Sequence, residues 1–105
     1  MADEGSLQDK IKVYLERQGC WVLNVAGSGA QKCGTPDILA CVHGRFVAFE
    51  IKDPDEPADY TGAQRTNIKL INRAGGIGLR VDCICQVREV VEDLADCRNC
   101  ERACP

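Results

Sequence analysis

The 105-residue chain lacks several features, and each absence narrows what it can be. Apolar runs of membrane-spanning length are missing: the longest are of strand length, against the roughly 20 residues a bilayer span needs. Met1-Ala2-Asp3-Glu4 is acidic and carries no apolar signal region, which points to the cytoplasm. Histidine is reduced to His43, in a predicted turn, which counts against mechanisms that need a histidine base or paired histidine ligands. Repeats and low-complexity segments are absent too. The length suits one core and is too short for two. A single domain over 1–95 is expected, followed by a cysteine-rich tail over 96–105.

A basic excess is also lacking. The net charge of −3 argues weakly against a nucleic-acid partner, but its distribution does not. Residues 60–88 hold Arg65, Lys69, Arg73, Arg80 and Arg88 against Asp82 alone, a local balance of +4 that leaves −7 for the rest. Arg65, Lys69 and Arg73 recur at four-residue steps. They make either a solvated helix face or a row of phosphate contacts insensitive to sequence.

Cysteine, by contrast, is abundant, with eight residues. Without an export signal, reduced thiols or metal ligands are expected rather than disulfides. Cys97-x2-Cys100-x3-Cys104 has ligand-like spacing, with Cys20, Cys33, Cys83 or Cys85 available as a fourth ligand to zinc or an iron–sulfur cluster. The competing reading is a reduced tail that holds nothing. Cys41, Cys83 and Cys85, on expected strands, read as small core residues.

Leu7, Ile11, Tyr14 and Leu15 recur at helical spacing, with Ser6 to cap and Gly19 to stop, which predicts a helix over 6–18. A strand over 20–25 and a glycine-rich loop over 26–35 follow. Strands over 38–42 and 46–51 form a hairpin about His43-Gly44-Arg45, and residues 53–60 read as an acidic, proline-bearing loop. A second helix spans 63–74, stopped by Gly75-Gly76, with Ile68, Leu70, Ile71 and Ala74 on one arc and Gln64 inside it. A strand over 77–83 and a helix over 87–95 complete the order αβββαβα, an α/β fold with a mixed sheet flanked by helices.

Gly34-Thr35-Pro36-Asp37, followed on the next apolar run by Glu50-Ile51-Lys52, carries the chemistry. Alternation puts Glu50 and Lys52 on one strand face and Val47, Phe49 and Ile51 on the other. Charges on such a strand are costly unless they serve each other or a metal. Magnesium prefers hard oxygen ligands and keeps several waters, and Asp37, Glu50 and the Ile51 backbone carbonyl could supply three. Lys52 would then orient a water or neutralise charge at phosphorus. Against this stands a plainer reading: Asp37 starts a turn, and Glu50 and Lys52 form a solvated edge-strand pair.

These motifs, with Gln64 opening the next helix, resemble the PD-(D/E)XK nuclease superfamily, most closely its VRR-NUC branch of small stand-alone nucleases common in phages and prophages. The resemblance spans about residues 4–94 and includes Leu7-Gln8, Ile11, Tyr14-Leu15 and Gly75-Gly76. It implies a restriction-endonuclease-like fold, Asp37 and Glu50 as metal ligands, Lys52 as catalytic lysine and Gln64 in support. A family glutamate near the start of the first helix is matched by Glu4 or Gln8, with Gln8 preferred, while Glu16 falls on the opposite arc. The resemblance further implies branched or flapped DNA as substrate and dimers like those of Holliday junction resolvases. Some larger relatives staple their core with four cysteines around an iron–sulfur cluster; the tail matches that in outline, not in spacing. The expectation is a magnesium- or manganese-dependent DNA endonuclease acting as a homodimer on branched DNA. The alternatives are a nuclease of this fold without junction preference, and an inactive DNA-binding or metal-sensing module built around the cysteine tail.

Overall fold

The computed structural model describes residues 6–25, 34–52 and 62–98. Glu4, Cys33, Cys100, Cys104, the acidic loop and most of the glycine-rich loop lie outside these residues. The elements are α1 (Leu7–Arg17), β1 (Trp21–Asn24), β2 (Ile38–Val42), β3 (Arg45–Ile51), α2 (Gly62–Arg73), β4 (Ile77–Val81) and α3 (Ile84–Arg98). Strands lie in the order β1-β2-β3-β4; the first three pair antiparallel and β4 joins β3 in parallel. This is the mixed α/β arrangement of a restriction-endonuclease-like fold.

Ser6 caps α1 by accepting from the Asp9 N–H at 3.2 Å, and Gly19 ends it at φ 84°, a left-handed conformation that costs glycine little. Ile11 and Leu15 of α1 and Val87, Val91 and Leu94 of α3 pack on Ile38, Ala40, Val42, Val47, Phe49 and Val81, the main core. Among the described residues the opposite pleat of the sheet is covered chiefly by α2, which packs on β4 and β3. There Gly78 lets the helix approach: a Cβ at that position would stand 3.2 Å from the Ile68 carbonyl oxygen. With helices on both sides, Val47, Ala48, Phe49 and Glu50 are buried in succession. The β2–β3 connection is the expected hairpin, with His43 at φ 49° and Gly44 at φ 85°.

The free edge of β4 is closed by a side chain. Asn72 Nδ2 donates to the Gly78 carbonyl at 3.0 Å and the Gly78 N–H donates to Asn72 Oδ1 at 2.9 Å, so the amide mimics a neighbouring strand. Leu70 and Ala74, placed by the wheel on the apolar arc of α2, are exposed, whereas Ile68 and Ile71 of that arc pack toward β4.

The cysteines depart most from expectation. Cys83 and Cys85 are joined by a disulfide at the β4–α3 corner, and Cys41 is exposed, so none of the three is a core residue. The fourth strand stops at Val81 because Gln86 Oε1 accepts from the N–H groups of Asp82 and Cys83, at 2.8 and 3.2 Å, and starts α3 early. At its other end α3 runs past Ala95 into the expected tail and carries Cys97, itself disulfide-bonded. Cys85 and Cys97 stand twelve residues apart on one helix, about 18 Å along its axis, too far to share an ion. Among the described residues no group of three or more His, Cys, Asp or Glu side chains converges on one point, and no helix is long and apolar enough to cross a membrane.

Candidate active site

Asp37 stands one residue before β2. The register that pairs Ile38 with Phe49 therefore sets it opposite Glu50. Its Oδ2 accepts from the Ile51 N–H at 2.9 Å, and its carbonyl accepts from Val25 N at 2.9 Å. One end of β2 is thus tied to both neighbouring strands, and the carboxylate is held against β3. Gly34, at φ 79°, begins this segment. A Cβ there would lie 2.7–2.9 Å from Ala63, so the motif glycine sits directly on the first turn of α2.

That turn delivers Gln64. Its Nε2 donates to Glu50 Oε2 at 2.7 Å, while its Oε1 accepts from Lys52 Nζ at 3.3 Å; Lys52 Nζ also lies 3.7 Å from Glu50 Oε2. The amide thereby bridges an acid and a base that are both buried, at 2% and 8% exposure. Glu50 Oε1 is buried with no hydrogen-bond partner. Burial first, then the neighbouring Asp37 charge, push the Glu50 carboxyl up to about 7, against weaker opposing pulls from Lys52 and Arg80.

Two facing carboxylates, one with an orphaned oxygen, are a donor set that a cation would complete. The Ile51 carbonyl lies on the same side. In its trans peptide the following N–H, that of Lys52, donates to Val81 O at 2.9 Å on β4, so the carbonyl points the other way, toward the Asp37 side. The hard oxygens of Asp37, Glu50 and Ile51 fit magnesium or manganese in kind.

The structure brings Asp37, Glu50, Ile51, Lys52 and Gln64 together. It does not bring Gln8 into contact with them. Gln8 Nε2 donates to Asn24 Oδ1 at 2.6 Å, and Asn24 pairs with Ile38, next to Asp37. Glu16 is exposed and pairs with Lys12 at 3.3 Å. Sequence reasoning gave Arg80 no place in the site. Parallel register sets it beside Glu50, its side chain exposed and its charge felt by the carboxylate. Only the β3–β4 pairing could have revealed that. Arg65, Lys69 and Arg73 are exposed along α2.

A family model of the archaeal Holliday junction resolvase (Hjc) matches residues 3–76, well over half of the chain. The chain belongs to that family. Hjc is a PD-(D/E)XK-type nuclease family, in agreement with the superfamily the motifs resemble, and the match holds Gln8, Asp37, Glu50, Lys52 and Gln64. It stops short of β4 and α3. Searches of curated proteins and of solved structures return no match.

Proposed function

We propose that this chain is a divalent-metal-dependent endodeoxyribonuclease that nicks branched DNA, the four-way junction foremost. The observation that carries the metal site is the buried, unpartnered Oε1 of Glu50 opposite Asp37. Asp37, Glu50 and the Ile51 carbonyl would hold the ion. Bound there, magnesium or manganese polarises the phosphoryl oxygen and makes a water more acidic.

The chain's own residues do the rest. Lys52 Nζ, steered by Gln64, supplies positive charge where negative charge builds at phosphorus. Gln64 and Lys52 both engage Glu50 Oε2, which leaves Oε1 available. Gln8, through Asn24, supports the β1–β2 end that carries Asp37. Arg65, Lys69 and Arg73 lie on the helix that presents Gln64, and contacts from them to phosphate would be indifferent to sequence.

Branched DNA as substrate rests on the family. Action as a homodimer is supported by the half of the sheet that α2 leaves open. There Trp21, Cys41 and Phe46 form an exposed cross-strand row, with Leu23 also exposed beside it. The narrower likeness to the VRR-NUC branch rests on motif order alone.

The test compares the wild type with Asp37→Ala and Lys52→Ala on a labelled four-way junction, a flap, a duplex and a single strand, with magnesium, manganese or EDTA. Cutting by wild type alone, abolished by EDTA and fastest on the junction, supports the proposal. Folded protein that binds but cuts nothing in either metal replaces it with the DNA-binding module.

A further inference from the structure

The sequence's most unusual feature, its cysteine content, has no part in the site above. Two of the eight sit in a defined setting. Cys83 is half-buried at the N-terminal cap of α3 and Cys85 is exposed in its first turn; their sulfurs are bonded to each other. The Cys85 N–H donates to Cys83 Sγ at 3.2 Å, and Gln86 holds the cap closed from the other side. Cys85 lies on an open surface groove that Gln86, Arg88, Glu89 and Glu92 also line.

We infer that Cys83 and Cys85 form an exchangeable dithiol–disulfide pair whose reaction partner is a small zwitterionic thiol, and that the incoming thiol attacks Cys85. Direction follows from the two environments. Cys85 is the more exposed of the two and the more open to an outside thiolate. Cys83 is the better leaving group, because its thiolate receives an N–H and lies at the positive end of a helix. Arg88 beside the groove suits a carboxylate of the incoming molecule, and Glu89 and Glu92 suit its ammonium group.

The incoming thiolate bonds to Cys85 Sγ, the Cys83–Cys85 bond breaks, and its electron pair leaves on Cys83 Sγ. A second small thiol then displaces Cys85 from the mixed disulfide. Two electrons have passed to the protein, the protons shed by the two small thiols reach the cysteines through solvent, and the small thiols depart as their own disulfide. The pair adjoins the nuclease site, since Val81 O, two residues before Cys83, holds the Lys52 N–H. It does not depend on that site being active.

The full chain would be equilibrated in glutathione buffers from oxidising to reducing, quenched by alkylation and digested with trypsin. Peptide 81–88 carries these two cysteines and no others, so its mass reports the bond directly. The expected result is one transition from an unlabelled peptide, two hydrogens lighter, to a doubly labelled one. During brief reduction, glutathione should be found on Cys85 at least tenfold more often than on Cys83. Overturning results are a peptide doubly labelled even in the most oxidising buffer, one that stays bonded in the most reducing, or glutathione shared equally between the two sulfurs.

Discussion

Gln64 Nε2 donates to Glu50 Oε2 at 2.7 Å and so ties α2 to the only carboxylate that is buried among the described residues. The same amide accepts from Lys52 Nζ, which makes it a positioning residue for both acid and base. Gln64→Ala should lower kcat for junction cleavage roughly 10- to 100-fold, the usual cost of removing a partner that orients a metal ligand. KM for DNA should hardly move, because Gln64 is given no phosphate to bind. Steady-state kinetics separate the two, and a variant that loses affinity at unchanged kcat would remove Gln64 from this role.

The Glu50 carboxyl, raised from 4.5 to about 7, makes stability depend on pH in a direction opposite to a salt-bridged acid. Between those values the folded, metal-free chain holds a proton that the unfolded chain has released. Its stability therefore falls as pH rises through that window. Thermal unfolding in EDTA should show the wild type losing stability from pH 5 to pH 8, with Glu50→Gln losing markedly less. Magnesium should raise the wild-type Tm at pH 8 more than at pH 5, since at low pH it competes with the proton. Equal pH slopes in wild type and Glu50→Gln would refute the buried-acid reading.

What could be read in advance follows from how local each signal is. Ser6, Gly19 and the His43-Gly44 turn act within a few residues, and the elements they bound came out close to expectation. Asp37, Glu50 and Lys52 are legible because strand alternation and a short hairpin fix their sides, and Gln64 because the wheel of α2 sets it on the arc of Ile68 and Ile71. Arg80 was not, since its place beside Glu50 depends on a parallel pairing across an intervening helix. Cys83 and Cys85 read in sequence as small core residues, and the structure instead pairs them at a helix cap. A cap made by Gln86, rather than hydrophobicity, decides where β4 stops, and the sulfurs then meet. Gln8 lies on the expected helix and donates to Asn24, whose strand partner Ile38 neighbours Asp37.

Gly34 couples the Asp37 segment to α2, and its substitution should disturb the site without touching a catalytic atom. Alanine there must adopt φ near 79° and place a Cβ within 3 Å of the Ala63 backbone. Gly34→Ala should cost at least about 1 kcal/mol in urea unfolding, the scale of a strained left-handed residue. It should also lower kcat, because the contact that yields is the turn bearing Gln64. A variant with wild-type stability and kcat would mean that the close approach to Ala63 is not maintained in solution.

Arg80 separates binding from chemistry at the edge of the site. It stands beside Glu50 in register yet is exposed, while Arg65, Lys69 and Arg73 line the helix above the same strands. A strand of DNA brought to Glu50 and Lys52 would pass it, and a guanidinium there meets phosphate rather than base edges. Arg80→Ala should weaken binding about equally for junctions of different sequence and reduce the slope of log affinity against log salt by about 1. Arg80→Lys keeps the charge and should keep the slope, while losing whatever two-pronged contact the guanidinium makes. Fluorescence anisotropy on a labelled junction in EDTA, from low to physiological salt, reads this without cleavage. An unchanged slope in Arg80→Ala would confine the DNA path to the α2 row, with Arg80 left to act on Glu50 alone.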